Sequence, residues 1–356
     1  MAKVLMKGNE VIAEAAVHAG CKYFFGYPIT PQSELVAYMA RRLPEAGGLF
    51  LQAESEVAAI NMVYGASGTG VRVMTSSSSP GFSLKQEGIS YLVGAELPAV
   101  IVNIVRGGPG LGNIQPAQSD YFQVTKGGGH GDYYTPVLAP ASLQEIVDLT
   151  QEAFDIADRY RTPVILMGDG MLGQMMEPVE FTDRYEKELP VKEWATTGTR
   201  GDGARRVITS LELDADSLEQ RNIQLQKKFA EIKTNEVRYE TYLTEDAEII
   251  ITAFGTVARI ATNAINKARQ QGIKVGLVRP ISLWPFPAAP FVESRDRVKC
   301  YLSVEMSAGQ MIEDVRLAVE GRAPVEFYGR TGGVVPTQED IFGKIIELAG
   351  RVSVWA

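Results

Sequence analysis

The run Ala99-Val100-Ile101-Val102-Asn103-Ile104-Val105 has almost no polar face, and that property narrows the fold more than any other in the chain. A strand half in water alternates apolar and polar residues. One that is apolar throughout has to be covered on both sides, which is the condition of a parallel sheet. Similar short runs predict strands over 23–27, 48–52, 71–75 and 164–168. Between them, apolar residues recur at helical spacing over 8–19, 32–42, 56–66, 82–93 and 143–159. Strand and helix in alternation give an α/β fold, a parallel sheet wrapped by helices.

Past residue 170 the rhythm stops. Pro178, Pro190 and the stretch Thr196-Thr197-Gly198-Thr199-Arg200-Gly201-Asp202-Gly203 read as an irregular connector. Within it Leu218, Leu225 and Ile232 recur every seven residues, with Phe229 four after Leu225, as on an amphipathic helix that packs on a domain or a partner. A second α/β unit follows, with strands over 247–254, 273–278, 298–304 and 325–328. A helix opens at Gly255-Thr256, and a sharp turn spans Arg279–Pro287. The expected domains are therefore 1–180, a connector over 181–245, and a smaller unit over 246–350.

Three positions invite chemistry. Tyr27-Pro28-Ile29-Thr30-Pro31 follows a strand and precedes a helix, and its prolines stiffen the corner so that the Thr30 hydroxyl is displayed. Ligands of open α/β sheets bind at such carboxyl ends of strands, although a proline-rich turn can also simply start a helix. Glu56 lies at a helix start after Ser55, where an acidic residue complements the helix dipole. Its small, apolar neighbours also imply burial, and a buried carboxylate requires a partner. Arg106 ends the most apolar strand and opens Gly107-Gly108-Pro109-Gly110, a place from which a guanidinium can grip a carboxylate or bridge to an acidic side chain.

Several functions are disfavoured. Gly65–Gly70 precedes a strand and Gly107–Gly112 lacks the GxGxxG spacing, so a dinucleotide site has little support. Cys21 and Cys300 are the only cysteines and His18 and His130 the only histidines, too few for an iron–sulfur cluster or a multi-histidine metal site. A net charge of −8 without a long basic run favours neither nucleic acid nor an anionic membrane. The N-terminus lacks the apolar core of a secretion signal, and a cytoplasmic location is expected. Gly168-Asp169-Gly170 echoes the magnesium-diphosphate motif of thiamine enzymes. The asparagine that completes such a metal shell about thirty residues later is missing, since none lies between Asn113 and Asn222.

Taken in order, Gly26-Tyr27-Pro28-Ile29-Thr30-Pro31, Glu54-Ser55-Glu56 with Ala58-Ala59, Ser78-Ser79-Pro80-Gly81-Phe82-Ser83-Leu84 and Arg106-Gly107-Gly108-Pro109 resemble the alpha subunit of 2-oxoacid:ferredoxin oxidoreductases. Leu111–Tyr121 and Gly127–Asp132 look most like the branched-chain type, which acts on 3-methyl-2-oxobutanoate (2-oxoisovalerate). Ser79 departs from the glycine many members carry before Pro-Gly.

The resemblance implies a pyrimidine-binding domain of the thiamine-enzyme type followed by a transketolase C-terminal-like domain. It implies that thiamine diphosphate is shared with a beta subunit carrying the magnesium and the diphosphate grip. A gamma subunit and a ferredoxin-like subunit with iron–sulfur clusters would complete the complex, with ferredoxin as acceptor and coenzyme A as substrate. It places Glu56, Ser78 and Pro28 on the cofactor, with Glu56 as the catalytic group on the aminopyrimidine. Thr30 and Arg106 fall on the 2-oxoacid. A 2-oxoglutarate or aryl 2-oxoacid enzyme is the nearest alternative. A silent assembly subunit, docking through the helix around 218–232, is a third, but a scaffold needs none of Glu56, Thr30 and Arg106.

Overall fold

Seven strands form the larger sheet, in the order Ser282–Trp284, Val137–Leu138, Pro163–Asp169, Ala99–Val105, Val73–Ser77, Tyr23–Gly26 and Leu49–Gln52. All neighbours run parallel except the outermost pair, Ser282–Trp284 on Val137–Leu138. This computed structural model describes residues 3–182, 191–198 and 205–352, so Pro190 and Thr199–Gly203 of the expected connector lie outside the described residues. Ala99–Val105 is buried at every position, as its composition requires. Gly8–His18 packs between Ser33–Glu45 and Leu143–Tyr160, while Glu56–Gly68 packs on Gln86–Gly94.

The helix expected over 82–93 is in fact two, Ser79–Ser83 and Gln86–Gly94. Pro80 in the first turn starts the segment earlier than its apolar pattern suggests. At the break Leu84 stays half exposed and the next residue, Lys85, is fully buried. Five short strands among the described residues were not expected, including Tyr239–Tyr242 in the expected connector and Ser282–Trp284 in the expected turn. Val4–Lys7 and Met176–Val179 form a small antiparallel pair, and Val137–Leu138 is only two residues long.

Five strands form the second sheet, in the order Val325–Gly329, Cys300–Glu305, Ile249–Thr252, Val275–Pro280 and Tyr239–Tyr242. Only Tyr239–Tyr242, an exposed edge rich in polar atoms, runs antiparallel. The chain leaves this sheet after Pro280 and at once joins the first one as Ser282–Trp284. The two halves are further tied through Gln118. Its backbone N–H donates to Met306 O and its side-chain Oε1 accepts from Met306 N, while its Nε2 donates to Phe254 O. The Ala215–Asn235 helix buries Leu225, Phe229 and Ile232, with Phe229 edge-on to Trp284 and Tyr134. That stripe packs against the chain itself, and Leu218 alone of the heptad set stays exposed. No helix among the described residues is long and apolar enough to cross a membrane.

Glu305 organises the second unit. Fully buried, it accepts from the Ser303 and Ser307 hydroxyls and from the N–H groups of Gln310, Met311 and Ile312. These include donors that the start of the Met311–Val319 helix would otherwise leave unsatisfied. Glu305→Ala is therefore expected to cost about 3 kcal/mol or more of folding stability. Denaturant titration of the variant checks this, and an unchanged midpoint would remove the role.

Candidate active site

The carboxyl ends of Tyr23–Gly26, Val73–Ser77 and Ala99–Val105 deliver the candidate residues to one end of the larger sheet. Ser55 caps the Glu56–Gly68 helix, its Oγ accepting from Ala58 N at 3.1 Å. This fixes Glu56 at the first helical position, only 6% exposed. A Cβ on Gly81 would lie 2.3 Å from both Glu56 Oε1 and Ser77 Oγ, so glycine is what allows the Ser79–Ser83 turn to press against the carboxylate. No donor among the described residues hydrogen-bonds that carboxylate, nor does a cation pair with it directly. The Ser77 hydroxyl beside it, and that of the next residue Ser78, are buried without a partner among the described residues. A buried acceptor beside a buried unpaired hydroxyl suits a hydrogen-bonding heterocycle brought from outside.

Thr30 and Arg106 are held together. The Arg106 guanidinium is buried and donates through Nη1 to Thr30 O at 2.9 Å and through Nη2 to Leu111 O at 3.0 Å. It has no acidic partner among the described residues, and its Nε is buried without an acceptor. Of the two readings of this arginine, a bridge to an acidic side chain finds no counterpart here. The Thr30 and Pro28 side chains are exposed on the same corner. Gln32 pins that corner by donating to Tyr27 O and accepting from the Ser76 hydroxyl, and Asn9 Nδ2 donates to Pro31 O.

Ser79 links this corner to Asn103 and Asp120. Its Oγ accepts from Arg106 N and donates to Asp120, its N–H donates to Asn103 Oδ1, and Asn103 Nδ2 donates to Asp120. Burial pushes the Asp120 carboxyl above its ordinary range, against the lowering effect of those hydrogen bonds. Sequence reasoning missed this network. The one signal was Asn103, a lone amide inside an apolar strand that needs partners when buried.

Asp169, the aspartate of the Gly-Asp-Gly motif, is consumed locally. Its Oδ1 accepts from Met171 N and Leu172 N and caps Gly170–Gln174. Among the described residues no cluster of His, Cys, Asp or Glu could hold a metal ion. Both cysteines are free and buried, and burial pushes Cys21 up to about 12 and Cys300 to about 11.

A cleft of about 410 Å³ opens beside the Thr30 corner, lined by Thr30, Ile114, Gln115, Met171, Gln174 and Val335 together with prolines and glycines. No charged side chain among the described residues lines it. Of the basic residues over 107–132, Lys126 is paired with Asp314 at 2.5 Å, and His130 is exposed with its ring edge-on to Tyr91.

Burial pushes the Lys85 ammonium down to about 8, against the opposing pull of Glu56. The unfolded chain thus binds a proton there, between pH 8 and 10.5, that the folded chain does not, so this group makes stability rise with pH across that window. Relative to Lys85→Met, the wild type is expected to gain about 3 kcal/mol on that climb. Urea titrations of both proteins at the two ends of the window check it, and a constant difference would refute it.

Residues 14–241 match the family described as pyruvate flavodoxin/ferredoxin oxidoreductase, thiamine diphosphate-binding, and residues 247–341 match pyruvate:ferredoxin oxidoreductase core domain II. The ketoisovalerate oxidoreductase subunit VorB of Methanothermobacter marburgensis is 53% identical over 99% of this chain and 99% of its own length. A solved 2-oxoglutarate:ferredoxin oxidoreductase from Magnetococcus marinus, with 2-oxoglutarate, coenzyme A and succinyl-CoA bound, superposes with a TM-score of 0.87 at 26% identity. It covers 98% of this chain, which in turn spans 65% of that one. A split-gene transketolase, an inactive beta4 tetramer, shares the fold over 97% of this chain and 98% of its own at a TM-score of 0.62 and 16% identity.

Proposed function

This chain belongs to the 2-oxoacid:ferredoxin oxidoreductase family as an alpha-type subunit, and from that premise we propose that it works in a complex that oxidatively decarboxylates a branched-chain 2-oxoacid. The favoured substrate is 3-methyl-2-oxobutanoate, the products are the acyl-CoA and carbon dioxide, and ferredoxin takes the electrons. The observation that carries the reading is the buried Glu56 carboxylate, which has no donor among the described residues and lies beside the unpaired Ser77 hydroxyl and a glycine that gives it room.

Glu56, Ser78 and Pro28 would hold the pyrimidine end of thiamine diphosphate. When bound, that cofactor supplies the carbon nucleophile and the electron sink for decarboxylation. Glu56 accepts a hydrogen bond from the ring and holds or releases a proton at its carboxylate. Arg106 offers its unpaired Nε–H to the substrate carboxylate, and the Thr30 hydroxyl donates to the 2-oxo oxygen. The uncharged cleft beyond Thr30 takes the branched side chain. With Asp169 committed to a helix cap, the magnesium and the diphosphate grip fall to a beta subunit. Iron–sulfur clusters fall to a ferredoxin-like subunit, and a gamma subunit completes the assembly in the cytoplasm.

The test is reconstitution. The isolated chain should bind thiamine diphosphate weakly by calorimetry and turn nothing over. The assembled complex, given coenzyme A and a low-potential acceptor, should prefer branched 2-oxoacids within a substrate panel. Tight magnesium-dependent cofactor binding to the lone chain would refute the division of the site.

A further inference from the structure

Lys85 is a charge the reaction outlined above does not use. It is fully buried, and among the described residues its Nζ makes a single hydrogen bond, to Thr75 Oγ1 at 3.1 Å. A buried ammonium without an anion is costly, and so is a buried carboxylate without a cation. Here both occur in one dry region. Thr75 and Ser77 point to the same face of their strand, two residues apart. Ser77 Oγ and Glu56 Oε1 both crowd the space a Cβ on Gly81 would fill, and Lys85 follows Gly81 by four residues.

The surrounding elements add no competing charge. The Val73–Ser77 strand carries no charged residue, and Glu87 is exposed and accepts from Tyr91. Arg106 and Asp120, at the neighbouring strand end, are engaged in their own hydrogen bonds. The pull that opposes burial at the Lys85 ammonium comes from Glu56.

We propose that Lys85 is a positioning charge for Glu56: its buried ammonium makes no direct ion pair with the carboxylate, acts on it through the intervening hydroxyl-lined interior, and leaves the carboxylate oxygens free for the cofactor. A direct ion pair would occupy those oxygens, whereas a spaced cation stabilises the anion through the low-dielectric interior. The inference rests on the role given above to Glu56.

The test uses the assembled complex carrying Lys85→Met, with Lys85→Gln as a second neutral variant and Lys85→Arg to restore charge. Loss of the cation favours the acid form of Glu56. Both neutral variants should therefore move the acid limb of the kcat/KM pH profile up by about one unit or more, and Lys85→Arg should bring it back. Independently of turnover, infrared difference spectra of the isolated chain should show a protonated carboxyl band that persists to higher pH in Lys85→Met than in the wild type. That band should vanish in Lys85→Met/Glu56→Gln. Neutral variants with a wild-type pH profile and no shift of the band to higher pH would overturn the inference while leaving the proposed reaction intact. Full turnover in Glu56→Gln alone would instead remove the reaction role, even with the band shifted.

Discussion

Glu56→Gln in the assembled complex is expected to lower kcat by about 100- to 10,000-fold while leaving the fold and the assembly intact. Glutamine matches glutamate in size, so it fits the space that Gly81 leaves and does not disturb the Ser55 cap, which is made by a different side chain. What it removes is the negative charge and the ability to hold or release a proton. The carboxylate has no donor among the described residues to lose, so the substitution breaks no internal hydrogen bond. A structural residue replaced this conservatively would cost little in rate, which makes the rate loss diagnostic. The measurement is twofold: hydrogen–deuterium exchange at the cofactor's reactive carbon, and single-turnover decarboxylation. Normal exchange in the variant would mean that Glu56 has been assigned the wrong task.

The sequence was legible where side-chain pattern and burial coincide. Ala99–Val105 reads as a central strand because it can be nothing else in water, and Ser55-Glu56 reads as a helix start because cap and dipole agree. Thr30 and Arg106 stood out because prolines and an arginine at strand ends are conspicuous, and the structure places them in direct hydrogen-bonded contact. The rest depended on geometry that no local pattern encodes. Lys85 sits in a stretch whose periodicity predicts one continuous helix, and only the break at Leu84 turns it inward. The Ser79–Asn103–Asp120 network links residues up to 41 positions apart, and each looks ordinary in its own segment. Ser282–Trp284 was expected as part of a turn because proline surrounds it. Its pairing with Val137–Leu138 depends on a partner strand too short to announce itself. The Ala215–Asn235 stripe left open whether a domain or a partner would cover it, and Phe229 against Trp284 decides for the chain itself.

Discrimination between substrates is the second large effect. In the assembled complex, kcat/KM for 3-methyl-2-oxobutanoate is expected to exceed that for 2-oxoglutarate by about 100-fold or more. The reason is that a distal carboxylate placed in the cleft would be desolvated without a partner, at a cost of several kcal/mol. Ile114, Met171 and Val335 line the cleft, and its polar groups are amides and a hydroxyl. Lys126 cannot serve as the missing cation without giving up Asp314, which also accepts from Tyr121. Related branched 2-oxoacids differ by a methylene or so, worth only about 1–3 kcal/mol, so they should all be used with a shallow ranking. Val335→Lys then supplies what the cleft lacks. It should raise kcat/KM for 2-oxoglutarate and lower it for the branched substrate, narrowing the ratio from both sides. A wild-type preference for 2-oxoglutarate would place a cation from another subunit at the cleft, and the substrate assignment would fall while Glu56, Thr30 and Arg106 kept their roles. A Val335→Lys variant that left the ratio unchanged would show instead that the side chain of the substrate lies elsewhere.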